Sequence, residues 1–199
     1  MLDLLLPQRC VLCRRQGAAL CHACLVTLPP APDLAPPPGF EAFAALLSYE
    51  GDARRLIAAI KFDHRRRALE TPARVLAQLV DWPIDCVTWA PTSARHRRER
   101  GFDQSEVLAR TVAAELHRPC VALLERTRHS GHQTGLGRSE RLRGPAFAPL
   151  RARGRRPCAG SVLLVDDIRT TGATLCAAGD ALLEAGATAV SGVTLAVTL

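Results

Sequence analysis

Two carboxylates, Asp166 and Asp167, close the apolar run Val162-Leu163-Leu164-Val165, and Thr170-Thr171-Gly172-Ala173-Thr174 follow shortly after. The two halves suit different parts of one ligand. Successive backbone N–H groups in a turn that opens a helix make an anion site, a glycine there lets the chain approach a phosphate closely, and threonine hydroxyls add donors. Adjacent carboxylates cannot hold that anion, but they accept hydrogen bonds from a sugar diol or help to hold a hydrated Mg²⁺. Phosphate, diol and metal together describe a phosphorylated ribose. The plainer reading is a strand-to-helix turn in which Asp167 only caps the helix, and it leaves the second acid and the TTGAT run without a role.

Two other clusters carry chemistry. After Cys86-Val87-Thr88-Trp89-Ala90-Pro91, which reads as a strand, come Thr92, Ser93 and then Arg95, Arg97, Arg98 and Arg100. Guanidinium groups bind phosphate oxygens in a forked, two-bond geometry, so an arginine-rich turn at a strand's carboxyl end is placed to meet a pyrophosphate; otherwise it is a solvated basic turn. Cys10-x2-Cys13 and Cys21-x2-Cys24 have the spacing of paired knuckles that present four thiolates to one structural Zn²⁺. Two disulfides would need an oxidising compartment. A closed four-cysteine site does no hydrolysis, and metal binding would supply folding energy to a segment with little core of its own. His22 inside the second knuckle is expected to be exposed, and Cys86, Cys120, Cys158 and Cys176 lack ligand spacing. His129 and His132 have no partners in metal-ligand spacing.

The stretch LLVDDIRTTGATL resembles the phosphoribosyl-pyrophosphate loop of type I phosphoribosyltransferases. The rest of the chain resembles one branch of that superfamily, the ComF proteins, described as amidophosphoribosyltransferase-like and connected with natural competence for DNA uptake. Tyr49 and Lys61-Phe62 match that branch, as do Arg100, Gly101, Phe102 and Gln104 of its RGFNQ motif, with Asp103 in place of Asn. Arg126, Gln133 and Arg141 match further on, while Arg143 and Gly144 stand where the family has Asn. The resemblance implies that Asp166 and Asp167 meet ribose hydroxyls, that Thr170, Thr171, Gly172, Ala173 and Thr174 hold the 5′-phosphate, and that Thr92, Ser93, Arg95 and Arg100 lie near the pyrophosphate. It also implies Mg²⁺ with phosphoribosyl pyrophosphate, and single-stranded DNA and the DNA-uptake machinery as partners. Lys61 and Arg100 are the candidates for a catalytic role. No residue identifies an acceptor, so the chain is read either as a phosphoribosyltransferase or as a ligand-sensing or DNA-handling adaptor that keeps the fold without turnover. Glutaminase activity is not expected, since Met1-Leu2 offers no terminal cysteine.

The elements that must position these groups follow from pattern. Phe43–Tyr49 reads as a strand; a helix with Leu56, Ile57 and Ile60 inward ends at Lys61; another helix runs through Arg74 to Val80. Ser105–Leu116 is an amphipathic helix, Val121–Leu124 a strand, and the glycine-rich segment from Arg126 to Phe147 a flap-sized loop. A helix after Thr174 and an apolar strand over Ala189–Leu199 complete an α/β fold of type I phosphoribosyltransferase kind, with a mostly parallel sheet. Six prolines in the ten residues Pro29–Pro38 mark a semi-rigid spacer. It divides a four-cysteine segment over 1–38 from the phosphoribosyltransferase-like domain over 39–199.

Composition sets bounds. With 199 residues, 48% of them hydrophobic, the chain can bury the core of one α/β domain plus an appendage. No apolar window of about 18 residues is present to span a membrane. The opening MLDLLLPQRC lacks a basic leading region, so the expected location is the cytoplasm. A net charge of +7 favours polyanions. The basic residues are 25 arginines and one lysine, Lys61, and a compact ammonium kept in such a background points to a specific need. Aromatic residues, at 4%, are too sparse for a base-stacking groove, so any grip on DNA would run through the backbone.

Overall fold

The run Val162–Val165 lies at the centre of a four-stranded parallel sheet because its side chains are apolar on both faces. In the computed structural model, which describes residues 8–62, 65–127, 145–150 and 160–198, this run belongs to β5 (Ser161–Arg169). The sheet order is β1 (Phe43–Ser48), β6 (Ala189–Val197), β5 and β2 (Cys86–Trp89), all parallel. Leu163 and Val165 face one layer, packed with residues of α2 (Gly51–Phe62), α3 (Glu70–Ala77) and α5 (Gln104–Glu115). Val162 and Leu164 face the other, packed with Leu175, Ala178 and Leu182 of α6 (Ala173–Glu184). A strand buried on both faces needs continuous hydrophobicity, and a parallel sheet clad by helices provides that environment.

Helix α2 places Leu56, Ile57 and Ile60 inward, as their spacing predicts, and ends with Lys61 and Phe62. The four-arginine stretch is a helix, α4 (Ala94–Arg100), and not the open turn expected from its charge. Ser93 caps it by accepting from the His96 N–H at 3.2 Å, and Gly101 closes it at φ 75°. Since α4 buries none of its residues, no apolar periodicity announced it. Of the strand expected at Val121–Leu124 the structure keeps one parallel bridge, Cys120 beside Val87 of β2 with the Val121 N–H donating to the Val87 carbonyl, and the regular strand follows it: β3 (Leu124–Thr127) pairs antiparallel with β4 (Ala146–Pro149) as a separate ribbon. Leu123 and Leu124 are buried in the α6-side layer, which anchors the base of the ribbon. The segment between β3 and β4, with Gln133, Arg141, His129 and His132, and the basic run Arg151–Arg156 lie outside the described residues, as does Cys158.

A short helix α1 (His22–Leu25) carries the second knuckle. Cys10, Leu20, Leu25 and Leu28 belong to the same buried cluster as Leu47, Leu56 and Ile60. The proline stretch lies along the sheet edge, with Ser48 N–H donating to the Pro29 carbonyl and Ala31 N–H to that of Leu46. Prolines on an exposed edge cannot template a further strand. Beyond them the Phe40 ring sits between α6 and β6, where a Cβ on Gly179 would stand 2.6 Å from it and one on Gly192 3.0 Å. No helix among the described residues is long and apolar enough to cross a membrane.

Candidate functional site

Because β2 and β5 are neighbours, their carboxyl ends open onto one crevice, the place where parallel sheets hold ligands. A cavity of about 200 Å³ lies there, bordered by Lys61, Thr92, Arg100, Asp166, Asp167 and Thr174 from the residues singled out above, and also by His96, Gln104, Ser105 and Arg126. Ser93 stands beside it as the cap of α4. Arg95 does not join: it pairs with Glu99 at 2.7 Å on the outer surface of α4, with 81% of its side chain exposed.

The acid pair is held from two sides. Lys61 Nζ lies 2.6 Å from Asp167 Oδ2, each side chain less than a fifth exposed. Asp166 is 7% exposed, and its Oδ1 accepts from Ser105 Oγ at 2.9 Å and from the Asp167 N–H at 2.8 Å. Burial first, then the neighbouring Asp167 charge, push the Asp166 carboxyl up to about 7, against the opposing pull of those two hydrogen bonds and Lys61. A lone lysine in an arginine-rich chain thus sits at the one place described where an ammonium meets the acid pair. The hydrogen bonds of Asp166 fall on one oxygen, so its second carboxylate oxygen can accept from a ligand hydroxyl.

The threonine- and glycine-rich stretch forms a turn, Thr170 to Gly172, leading into α6. Gly172 adopts φ 81° at the N-cap. A Cβ there would meet nothing nearer than Arg169 Nε at 3.6 Å, so the demand for glycine comes from the left-handed backbone and not from crowding. Thr171 Oγ1 accepts from the Ala173 N–H at 3.3 Å, and Thr170, Thr171 and Ala173 are exposed.

Asp103, standing where the ComF pattern has Asn, commits its carboxylate to backbone N–H groups. It caps α5 by accepting from the N–H groups of Ser105 and Glu106, and it accepts from the Thr92 N–H at 2.8 Å. Burial nonetheless holds its carboxyl above the usual range, against those three bonds. Gln104 Oε1 accepts from Arg100 Nη1 at 3.0 Å, and the Arg126 guanidinium lies 5.7 Å from the centroid of the Phe147 ring. Gln104 entered the sequence reading only as part of a motif, and Ser105 and His96 did not enter it as site residues. The capping signature of Asp103 locates the helix start that presents Gln104 and Ser105, but nothing local reports the contact to Asp166.

At the other end of the chain, ligand atoms of Cys10, Cys13, Cys21 and Cys24 all lie within 4.8 Å of one another, with Cys13 and Cys21 Sγ 3.7 Å apart. A tetrahedral ion with Zn–S near 2.3 Å places its sulfurs about 3.8 Å apart, so the four cysteines can hold a zinc. Burial raises the Cys10 thiol, but the Cys13, Cys21 and Leu12 N–H groups and the Cys13 thiol outweigh it and bring Cys10 down to about 6. Burial and the surrounding thiols push Cys24 up to about 12. His22 is exposed.

No family model matches the chain. Among curated proteins it is 26% identical over 198 residues to "DNA utilization protein YhgH" of Salmonella typhi, covering 91% of this chain and 85% of that protein. It is 33% identical over 106 residues to "Competence protein ComFC" of Bacillus subtilis, covering 53% of this chain and 41% of that one. Similar solved structures include a glutamine phosphoribosylpyrophosphate amidotransferase from B. subtilis, with TM-score 0.45 and 22% identity over 65% of this chain and 26% of that one. Another is orotate phosphoribosyltransferase from Aeropyrum pernix, with TM-score 0.39 and 20% identity over 74% of this chain and 64% of that one.

Proposed function

We propose that this chain, similar to curated proteins named for competence and DNA utilization, binds phosphoribosyl pyrophosphate or a related ribose phosphate in the crevice at the end of its parallel sheet. The observation that carries this is the polarity of the cavity. Among its lining residues Asp166 and Asp167 accept hydrogen bonds, while Thr92, Arg100, His96 and Arg126 supply donors and positive charge. A ligand that offers hydroxyls to the former and phosphoryl oxygens to the latter is complementary to that arrangement. The Thr170–Thr174 turn takes the 5′-phosphate on its backbone N–H groups and hydroxyls.

Lys61 screens Asp167, so a polyanionic ligand can approach the acid pair without meeting two bare carboxylates. Oxygen donors of the pair are of the kind Mg²⁺ takes. With Lys61 already on Asp167, the ion is best carried in on the ligand's pyrophosphate, where it would neutralise charge. The four cysteines, in this reading, hold a structural zinc. The test is thermal stabilisation by phosphoribosyl pyrophosphate with Mg²⁺, compared with the double variant Asp166→Asn, Asp167→Asn. Stabilisation in the wild type and none in the variant is expected; equal stabilisation of both would refute the assignment.

A second reading has its own observation. Helix α4 buries none of its residues and shows Arg95, Arg97 and Arg98 to solvent, and one of the curated relatives is named for DNA utilization, the other for competence. That face suits a sequence-independent grip on single-stranded DNA phosphates, beside the ribose-phosphate site and compatible with it. Its charge is partly offset by Glu99 and Glu106, so the grip would be moderate.

A further inference from the structure

Three of the buried polar residues are consecutive: Asp103, Gln104 and Ser105, with relative exposures of 3%, 2% and 4%. Each reaches a different wall of the cavity. Asp103 Oδ2 accepts the N–H of Thr92, at the loop leaving β2. Gln104 Oε1 accepts from Arg100, the last residue of α4. Ser105 Oγ donates to Asp166, in the C-terminal half of β5 and 61 residues away in the chain.

Starting α5 requires only the first of these side chains, because Asp103 already accepts from the N–H groups of Ser105 and Glu106. Burying two more polar side chains forfeits their hydration, and a purely structural helix start would favour apolar residues there. The Gln104 contact has a fixed sense. A guanidinium can only donate, so the amide oxygen must face Arg100, and the amide nitrogen is turned elsewhere. That Nε2 is buried with no hydrogen-bond partner among the described residues, in a side chain bordering the cavity. An unsatisfied donor of this kind calls for an explanation beyond packing.

Resting on the ribose-phosphate reading above, we infer that Asp103-Gln104-Ser105 is the positioning segment of the site. One helical turn fixes the strand-end loop, the arginine and the acid relative to one another. Ser105 serves the diol end by holding Asp166 through Oδ1, which leaves its second oxygen for a ligand hydroxyl. Gln104 serves the pyrophosphate end by holding Arg100, and its amide nitrogen is the additional donor there. A rigid element that supports ligand-facing groups from behind is the arrangement that precise recognition requires.

The inference assigns different parts of the ligand to adjacent residues, and calorimetric titration can separate them. The probes are ribose 5-phosphate, 2-deoxyribose 5-phosphate and phosphoribosyl pyrophosphate, each with Mg²⁺. In Ser105→Ala the preference for ribose over deoxyribose phosphate should shrink about tenfold, the scale of one hydrogen bond to a charged group. The gain from adding the pyrophosphate should stay unchanged, and Ser105→Thr, which keeps the hydroxyl, should restore the preference. In Gln104→Leu the pattern should invert, with the pyrophosphate gain reduced about tenfold or more and the diol preference kept. Gln104→Met, a more flexible apolar replacement, gives the same reading if the leucine variant folds poorly. If each variant weakens all three probes by one common factor, or weakens none, the positioning role is overturned. If the wild type binds none of the three, the ribose-phosphate reading itself fails and takes this inference with it.

Discussion

Asp166→Asn is expected to make the unliganded protein more stable at alkaline pH while ending ribose-phosphate binding. Burial and the neighbouring Asp167 charge move the Asp166 carboxyl from its ordinary 3.8 to about 7. Between those two values the folded chain binds a proton that the unfolded chain has released. The group's contribution to stability is therefore greatest below about pH 4, falls as pH rises, and reaches its low plateau above about pH 7. The span of roughly three pH units, at about 1.4 kcal/mol each, amounts to roughly 4 kcal/mol. Asparagine escapes this cost and keeps the local bonds, since the Ser105 hydroxyl and the Asp167 N–H both donate to Oδ1, which an amide oxygen can replace.

The assay is urea unfolding of both proteins without ligand from pH 5 to pH 8.5. Taking the difference between the two curves removes other titrating groups, including Cys10, whose lowered thiol acts in the opposite sense. The advantage of the variant should widen by roughly 2–3 kcal/mol between pH 5 and pH 8. A flat difference, or a variant less stable than wild type at pH 8, would refute the reasoning. It would mean that Lys61 and the hydrogen bonds outweigh burial and keep Asp166 ionised. A stabilising substitution that abolishes binding would mark Asp166 as a residue kept for its ligand at the expense of the fold.

Three other outcomes are expected. Purified protein should carry about one zinc per chain by elemental analysis. Cys13→Ser should lower the melting temperature of the whole protein and not only of the first knuckles, because Cys10, Leu20 and Leu25 share a buried cluster with Leu56 and Ile60; an unchanged main transition would show that the two parts melt independently. For single-stranded DNA, replacing Arg97 and Arg98 should flatten the log–log salt dependence of binding by roughly 0.7 per lost phosphate contact. An unaltered slope in a filter-binding series would remove α4 from the DNA surface.

The parts of this architecture that were legible in the sequence are those whose cause is local. Val162–Val165 reads as a central strand because both of its faces are buried, and Thr170 to Gly172 reads as the turn into a helix because hydroxyls and a glycine there have local conformational meaning. Helix α4 was not legible as a helix, although Ser93 and Gly101 are ordinary capping residues, since a helix that buries nothing leaves no apolar stripe to detect. The apolar stretch Val121–Leu124 reads as a strand but makes only a single bridge to β2, beside Val87, because Leu123 and Leu124 plug the α6-side layer, while Glu125, Arg126 and Thr127, which carry no apolar signal, pair in an exposed ribbon.

The remaining misses depend on sheet order. Strand β2 is hydrogen-bonded to β5, not to β1 or β6, and this adjacency brings the start of α5, which follows β2 and α4, against Asp166 in the C-terminal half of β5. Ser105 acquires its role from that adjacency alone; on any other strand order the same serine would be an ordinary residue in the first turn of a helix. Lys61 differs in that its rarity in the chain already marked it, while its partner was fixed only when the end of α2 was seen to deliver the ammonium to Asp167. The two contacts meet on adjacent aspartates from opposite sides, so the geometry of the acid pair depends on two helices distant in sequence, α2 and α5, both packed on the same face of the sheet. Loosening that layer should therefore disturb the ligand site before it unfolds the sheet, whose opposite face is held separately by α6.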